Sequence, residues 1–238
     1  MRVTVCLPTY NERENLEQML RALGEVLPDG GRVLVIDDAS PDGTGQLADG
    51  LATELGYVDV LHRPHKDGLG PAYLAGFRQA LAADADLILE MDCDFSHDPR
   101  DVPRLIAAAA DADVVLGSRY AAGGSIPNWG LVRRAISRGG NLYAQGVLGL
   151  PYRDLTGGFK CYRRAVLETI DLDAISALGY AFQIETTYRA LRAGFRVVEV
   201  PITFVDRESG DSKMSRRIML EAIWRVPRLR LAALQGKL

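Results

Sequence analysis

Cysteine, histidine and lysine are scarce in this 238-residue chain, and no apolar stretch is long enough to span a bilayer. The three cysteines, Cys6, Cys93 and Cys161, are odd in number, far apart and without metal-ligand spacing. That pattern argues against a disulfide framework and for a reducing compartment. Cys6 reads as a small buried hydrophobe in the first strand. A membrane-crossing helix needs about 20 consecutive apolar residues, and the opening Met-Arg-Val-Thr-Val-Cys-Leu-Pro is too short for a signal-peptide core. The expectation is a soluble or peripheral protein. His62, His65 and His97 read as loop residues, so no imidazole stands out as a general base. Only 4 of the 28 basic residues are lysine, and no repeat, low-complexity tract or linker divides the chain.

What is present fits one α/β domain over residues 1–238, because a chain of this length buries a full core. The net charge of −3 hides an asymmetry. Residues 1–115 carry 9 Lys+Arg against 21 Asp+Glu, and residues 116–238 carry 19 against 10. An acidic, metal-binding half and a basic, anion-receiving half is one reading; charges interleaved over a single surface is the other. Nucleic acid is not expected as a partner, since the chain is acidic (pI ≈ 5.7) and shows no nucleic-acid motif.

Short β-branched runs alternate with helical patterns. Strands are expected at residues 3–7, 32–36, 58–61, 87–91 and 114–117. Helices are expected over 12–27 with Asn11 as cap, from about 43, and after Gly68-Leu69-Gly70. This rhythm predicts a mostly parallel sheet flanked by helices. An extended segment starts near Arg196 and ends at 203–205, and residues 207–213 suit a polar loop. The segment from about 214 to 238 reads as an amphipathic helix, with Met219, Leu220, Ile223 and Val226 on one face and Arg217, Arg225 and Arg228 on another. Pro227 is expected to kink or end its first part. Such a helix lies on an anionic membrane or docks a membrane partner; packing on the sheet is the plainer alternative.

The most informative feature is Asp92-Cys93-Asp94 at the end of the 87–91 run. Two hard oxygen ligands at the carboxyl end of a parallel strand suit Mg2+ or Mn2+, with substrate phosphate completing the shell. The feature points to an enzyme acting on a nucleoside-diphosphate compound. The plainer reading is two aspartates before a helix that starts at Asp98-Pro99.

Other segments fall at the same edge. Tyr10 and Glu12, in Pro8-Thr9-Tyr10-Asn11-Glu12, suit stacking on a base and accepting its donors; a helix start is the alternative. Ile36-Asp37-Asp38 leads into Ala39-Ser40-Pro41-Asp42-Gly43-Thr44, where carboxylates past a strand can grip a nucleoside or close a turn. Lys66-Asp67-Gly68-Leu69-Gly70 can face an anion or be only a tight turn. Arg119, Arg133, Arg134, Arg138, Arg207 and Lys213 are candidate phosphate contacts, because a guanidinium fork binds two oxygens at once. Thr156, in Asp154-Leu155-Thr156-Gly157-Gly158-Phe159, sits in a loop that either lines the sugar or acceptor site or only turns into a strand.

In order and approximate spacing, these segments resemble the dolichol-phosphate mannosyltransferase (polyprenol monophosphomannose synthase) group of the family 2 glycosyltransferases. The resemblance implies a GT-A type, Rossmann-like fold, GDP-mannose as donor, a polyprenyl monophosphate as acceptor, and attachment on the cytoplasmic face of a membrane or to a small membrane-protein partner. It also implies nucleoside contacts at Pro8, Tyr10, Glu12, Ile36 and Asp38, and metal and diphosphate contacts at Asp92, Cys93 and Asp94. Arg119, Arg207 and Lys213 match phosphate contacts. Cys93 stands where relatives often have alanine, and Ser96 where glutamine is frequent. The implied reaction is an inverting attack by lipid phosphate; a UDP-sugar donor such as UDP-glucose, or a sugar nucleotidyltransferase, is the alternative. For a hydroxyl acceptor, Glu185 would be the candidate base.

Overall fold

A computed structural model describes residues 1–177, 179–206, 216–236 and 238, with side chains given outside 216–220. Seven strands form one sheet: β1 (Val3–Thr9), β2 (Arg32–Asp37), β3 (Val58–His62), β4 (Leu87–Glu90), β5 (Val114–Ser118), β6 (Lys160–Arg163) and β7 (Val197–Pro201). Their order is β3-β2-β1-β4-β6-β5-β7. β6 runs antiparallel to both neighbours, while the other pairs are parallel. The strand order reverses between β1 and β4, where an open α/β sheet leaves a crevice at its carboxyl edge.

Helices cover both faces: α1 (Arg13–Val26), α2 (Thr44–Leu55), α3 (Leu69–Ala82), α4 (Val102–Ala108), α5 (Leu131–Leu148), α6 (Arg164–Thr169), α7 (Gly179–Arg192) and α8 (Arg216–Leu234). α1 buries Leu16, Met19, Leu20 and Leu23, a helical spacing that lays one stripe on the sheet. On the opposite face α3 approaches β2 through Gly76, where a Cβ would lie 2.4 Å from Ile36 Cδ1. A third cluster joins α5, α7 and α8 through Ala144, Leu148, Ile184, Tyr188, Val226 and Leu229.

Two expectations change, for Asn11 and Ile223, while Pro227 does not end its helix. Asn11 does not cap α1; the N-cap is Glu12 without a side-chain cap bond, and Asn11 holds a left-handed backbone (φ 56°). Pro227 lies inside α8, which continues to Leu234. The buried face of α8 is Val226, Leu229 and Ala233, whereas Ile223, expected on it, is 49% exposed. Arg225 turns back to pair with Glu221 and to donate to Ser176. Met219, Leu220 and Arg217 lie outside the described side chains. Among the described residues no helix is long and apolar enough to cross a membrane.

Candidate active site

The ends of β1 and β2 are stitched together, which fixes the first wall of the crevice. Pro8 pairs with Ile36 and Thr9 with Asp37 in the ladder. Beyond it the Asn11 amide donates to Ser40 Oγ (3.1 Å), and the Glu12 amide to Thr44 Oγ1 (3.0 Å). The buried Glu12 carboxylate accepts from Asn15 Nδ2 (3.0 Å). Tyr10 faces Lys66, whose Nζ stands 3.6 Å from the ring centroid. The Ile36 side chain is in the core, so any ligand contact at that position falls to its backbone.

Asp38 is buried and paired with Arg63, a partner no local pattern announces. Burial pushes the Asp38 carboxyl up, and Arg63 only partly offsets this. The neighbouring Asp37 instead accepts from Thr9 Oγ1 and the Ser40 amide, which tightens the turn.

The Asp92-Cys93-Asp94 loop follows β4. Asp92 is half-buried and Asp94 buried, while the Cys93 side chain points into the main core. Asp92 Oδ1 accepts from the Tyr73 hydroxyl (3.4 Å), and Asp94 Oδ1 from the Ser96 amide (3.0 Å). Burial and the nearby Asp92 and Glu90 charges push the Tyr73 phenol well above its ordinary value, so it stays a donor.

Among the described residues no three His, Cys, Asp or Glu side chains converge as a metal cluster. The donor set of two carboxylates nonetheless fits a hard divalent ion, which commonly takes one or two carboxylates and completes its shell with substrate phosphate and water. The buried Ser96 Oγ has no hydrogen-bond partner among the described residues, which suits a nearby shell water.

Left-handed backbones cluster at this edge. Asn11 (φ 56°), Ala39 (φ 54°) and Phe95 (φ 57°) each lie in one of the three loops that bound the crevice. Non-glycine residues held this way cost about 1–3 kcal/mol each and concentrate at ligand sites.

Arg119, expected as a phosphate contact, is ion-paired within the protein. Its guanidinium grips Asp154 with two 2.7 Å bonds and donates to Thr156 Oγ1 (2.9 Å). Asn141 of α5 ties the same loop, accepting from the Leu155 and Thr156 amides. Arg133 pairs with Asp206 (2.6 Å) and stacks on Trp129, Arg134 donates to the Ile126 carbonyl, and Arg138 lies over Tyr120. Arg207 and Lys213 lie outside the described residues. Glu185 pairs with Arg189 on its own helix.

His97, a loop residue near the Asp-Cys-Asp motif, is 2% exposed, and its Nδ1 accepts from the Asp92 amide (3.2 Å). Beneath the crevice a fully buried pair joins Glu90 to Lys160 (3.6 Å). Burial pushes the Glu90 carboxyl up to about 7 and the Lys160 ammonium down to about 8, each opposed by the other's charge.

Residues 4–171 match the family described as Glycosyl transferase family 2. The chain is 52% identical over 233 residues to an undecaprenyl-phosphate mannosyltransferase of Micrococcus luteus, covering 98% of this chain and 96% of the relative. It is 48% identical to a polyprenol monophosphomannose synthase of Mycolicibacterium smegmatis, covering 94% and 85%. Among solved structures it resembles glucosyl-3-phosphoglycerate synthase of Mycobacterium tuberculosis, crystallised with Mn2+, UDP and glucosyl-3-phosphoglycerate. That likeness has a TM-score of 0.64 at 19% identity, covers 99% of this chain and 79% of the other, and shows the fold alone. Strand order, crevice and family match agree: the fold is of the GT-A type, and the chain belongs to glycosyl transferase family 2.

Proposed function

We propose that the protein moves mannose from GDP-mannose to a polyprenyl monophosphate of the dolichyl type, with inversion, and that it uses Mg2+ or Mn2+. The observation that carries this is the Asp92/Asp94 pair at the reversal point of the sheet. It stands in a chain about half identical, over nearly its whole length, to relatives named for mannose transfer to such lipids.

In this reading Asp94, with Asp92, holds the metal against the donor diphosphate. A divalent ion there would offset the charge that grows on the departing nucleotide. Tyr10 offers a face to the base, and Glu12 and Asp38 accept from base or ribose donors, with Pro8 and Ile36 shaping the floor through their backbones. Cys93 contributes backbone only. Arg119 acts through the loop it anchors, holding Thr156 at the acceptor side. Arg133, Arg134 and Arg138 supply positive charge near the lipid phosphate, and Arg207 and Lys213 serve as contacts of the donor diphosphate or the acceptor phosphate. The lipid phosphate is already ionised near neutral pH, so no strong base is needed. This agrees with Glu185 being held by Arg189.

The same reading puts the protein at the cytoplasmic face of a membrane, directly or through a small membrane partner. Its support is the outer surface of α5 and α8. Leu131 (82% exposed), Val132, Ile136 and Leu142 project from one helix, and Ile223, Trp224 (69%), Leu231 and Leu234 from the other. Tyr143 of α5 donates to the Ile223 carbonyl (2.8 Å), so the two helices adjoin. Apolar side chains interspersed with arginines suit a headgroup boundary.

Thermal unfolding with Mn2+ and either GDP or UDP tests the donor. A ligand at 100 times its Kd stabilises by about 2.7 kcal/mol, so GDP is expected to raise the midpoint by several degrees and UDP by far less. Stabilisation by UDP over GDP would favour a UDP-sugar such as UDP-glucose.

A further inference from the structure

The backbone of the metal loop has no ladder to hold it. β4 ends at Glu90, and the Met91 amide still donates to the Cys6 carbonyl (3.2 Å), but the next amide, that of Asp92, points to a side chain. Its acceptor is His97 Nδ1, five residues on. An accepting Nδ1 requires the neutral ring with its proton on Nε2.

The ring itself is fixed from two sides. Its centroid lies 5.0 Å from that of Phe159, at the end of the Thr156 loop, and 5.2 Å from that of Phe204, which meets it edge-on. Phe204 also contacts the Trp129 ring (5.5 Å) and lies 5.4 Å from Arg119 Cζ. The main chain adds a second link: His97 forms an antiparallel bridge with Phe204, and the Val205 amide donates to the Ser96 carbonyl (3.2 Å). One imidazole thus touches the metal loop, the acceptor-side loop and the strand that leads to Asp206. Between Asp94 and His97 the chain passes through Phe95 at φ 57°, a conformation that needs outside contacts to persist.

We propose that His97 is a positioning residue for the metal site: its Nδ1 fixes the Asp92 amide, and its packing between Phe159 and Phe204 sets the spacing of the Asp92 and Asp94 carboxylates. This rests on the metal reading of those two aspartates. The two nitrogens of the ring separate the positioning role from mere filling of space. Asparagine at 97 can present an acceptor where Nδ1 lies, glutamine places its amide near the Nε2 position, and phenylalanine keeps the aromatic packing with no acceptor.

The test is Mn2+ binding to the full chain in the presence of GDP, followed by electron paramagnetic resonance, beside kinetics with a short-chain polyprenyl phosphate. His97→Asn is expected to bind Mn2+ within about threefold of the unaltered protein. His97→Phe and His97→Gln are expected to bind about tenfold more weakly, the effect of one buried hydrogen bond, with KM for the lipid phosphate unchanged. If His97→Phe does not fold, His97→Gln against His97→Asn decides. Unchanged Mn2+ affinity in His97→Gln, or a loss in His97→Asn as large as in His97→Gln, overturns the positioning role. Failure of the unaltered protein to bind Mn2+ with GDP overturns the metal reading and this inference with it.

Discussion

Arg119 and Asp154 form a buried, two-pronged ion pair across 35 residues of sequence, with both guanidinium–carboxylate distances at 2.7 Å and the Arg119 amide adding a third bond at 2.9 Å. Arg119 is 6% exposed and Asp154 0%. Removing one partner strands the other charge, which costs about 3–5 kcal/mol in buried pairs. Asp154→Asn is expected to lower the unfolding midpoint by roughly 10 °C for a chain of this size. Arg119→Lys is expected to fall nearly as far, since an ammonium cannot copy the fork. A change under about 2 °C in either would show that the pair does not hold the loop.

The same pair sets an acid limb. Burial raises the Asp154 carboxyl, but the Arg119 charge and hydrogen bonds outweigh burial and hold it below the usual carboxylate range. A folded value below the unfolded one gives stabilisation that is complete above about pH 3.9 and lost as pH falls through the folded value. Asp154→Asn should flatten stability against pH in that window, as read by urea unfolding. An acid limb of unchanged steepness would contradict this.

Glu90 and Lys160 answer to a different substitution pattern. Lys160→Met removes the charge that holds the Glu90 carboxyl down, so the carboxyl takes up a proton, and the variant is expected to cost about 1–3 kcal/mol. Glu90→Gln with Lys160→Met removes both charges; the amide oxygen can still accept from Tyr162, and the amide NH2 can donate to Gln183 Oε1 once that side chain turns. The double variant should recover at least half of that loss in a double-mutant cycle. Additive losses would mean the two side chains are not coupled.

At the metal loop, Asp94→Asn is expected to lower sugar transfer by at least about 100-fold, the scale on which electrostatic stabilisation of a leaving group is lost. Its far-ultraviolet dichroism and unfolding midpoint should change little, because the amide keeps an acceptor for the Ser96 amide. Transfer within tenfold of the unaltered rate would remove Asp94 from the site.

The outer surface of α5 and α8 makes its own demand. Replacing Leu131, Val132 and Trp224 with glutamate removes three exposed apolar groups, each worth up to about 1.5–3 kcal/mol if buried in lipid. Co-sedimentation with anionic vesicles should be lost, while transfer to a detergent-dispersed short-chain acceptor persists. Vesicle binding that survives all three changes would place the docking surface elsewhere.

The parallel half of the fold was legible because its strands are buried on both faces and read as unbroken apolar runs, as β1, β2 and β4 do. The antiparallel direction of β6 was not, since a four-residue strand with three buried residues carries no periodicity that fixes a direction. Asn11 looked like a cap by residue type, but its backbone turns left-handed to reach Ser40, a partner 29 residues away. The place of Asp92 and Asp94 and of the loops after β1 and β2 at one edge of the sheet could be read because each follows a strand. The partners Arg63, Asn141 and Asp154 could not, because they approach only when the loops converge. The burial of His97 was not legible because it comes from Phe159 and Phe204, both far along the chain.

The central claim is a metal-assisted transfer of mannose to an anionic lipid, and the most direct measurement is mass spectrometry of the lipid product. The purified chain would be incubated with labelled GDP-mannose, Mg2+ or Mn2+ and a polyprenyl monophosphate. The expected result is a mannosyl-phosphoryl lipid of β configuration that disappears with a chelator or in Asp94→Asn. A chelator-resistant product, or a lipid glycosylated only when a UDP-sugar is supplied, would contradict the account.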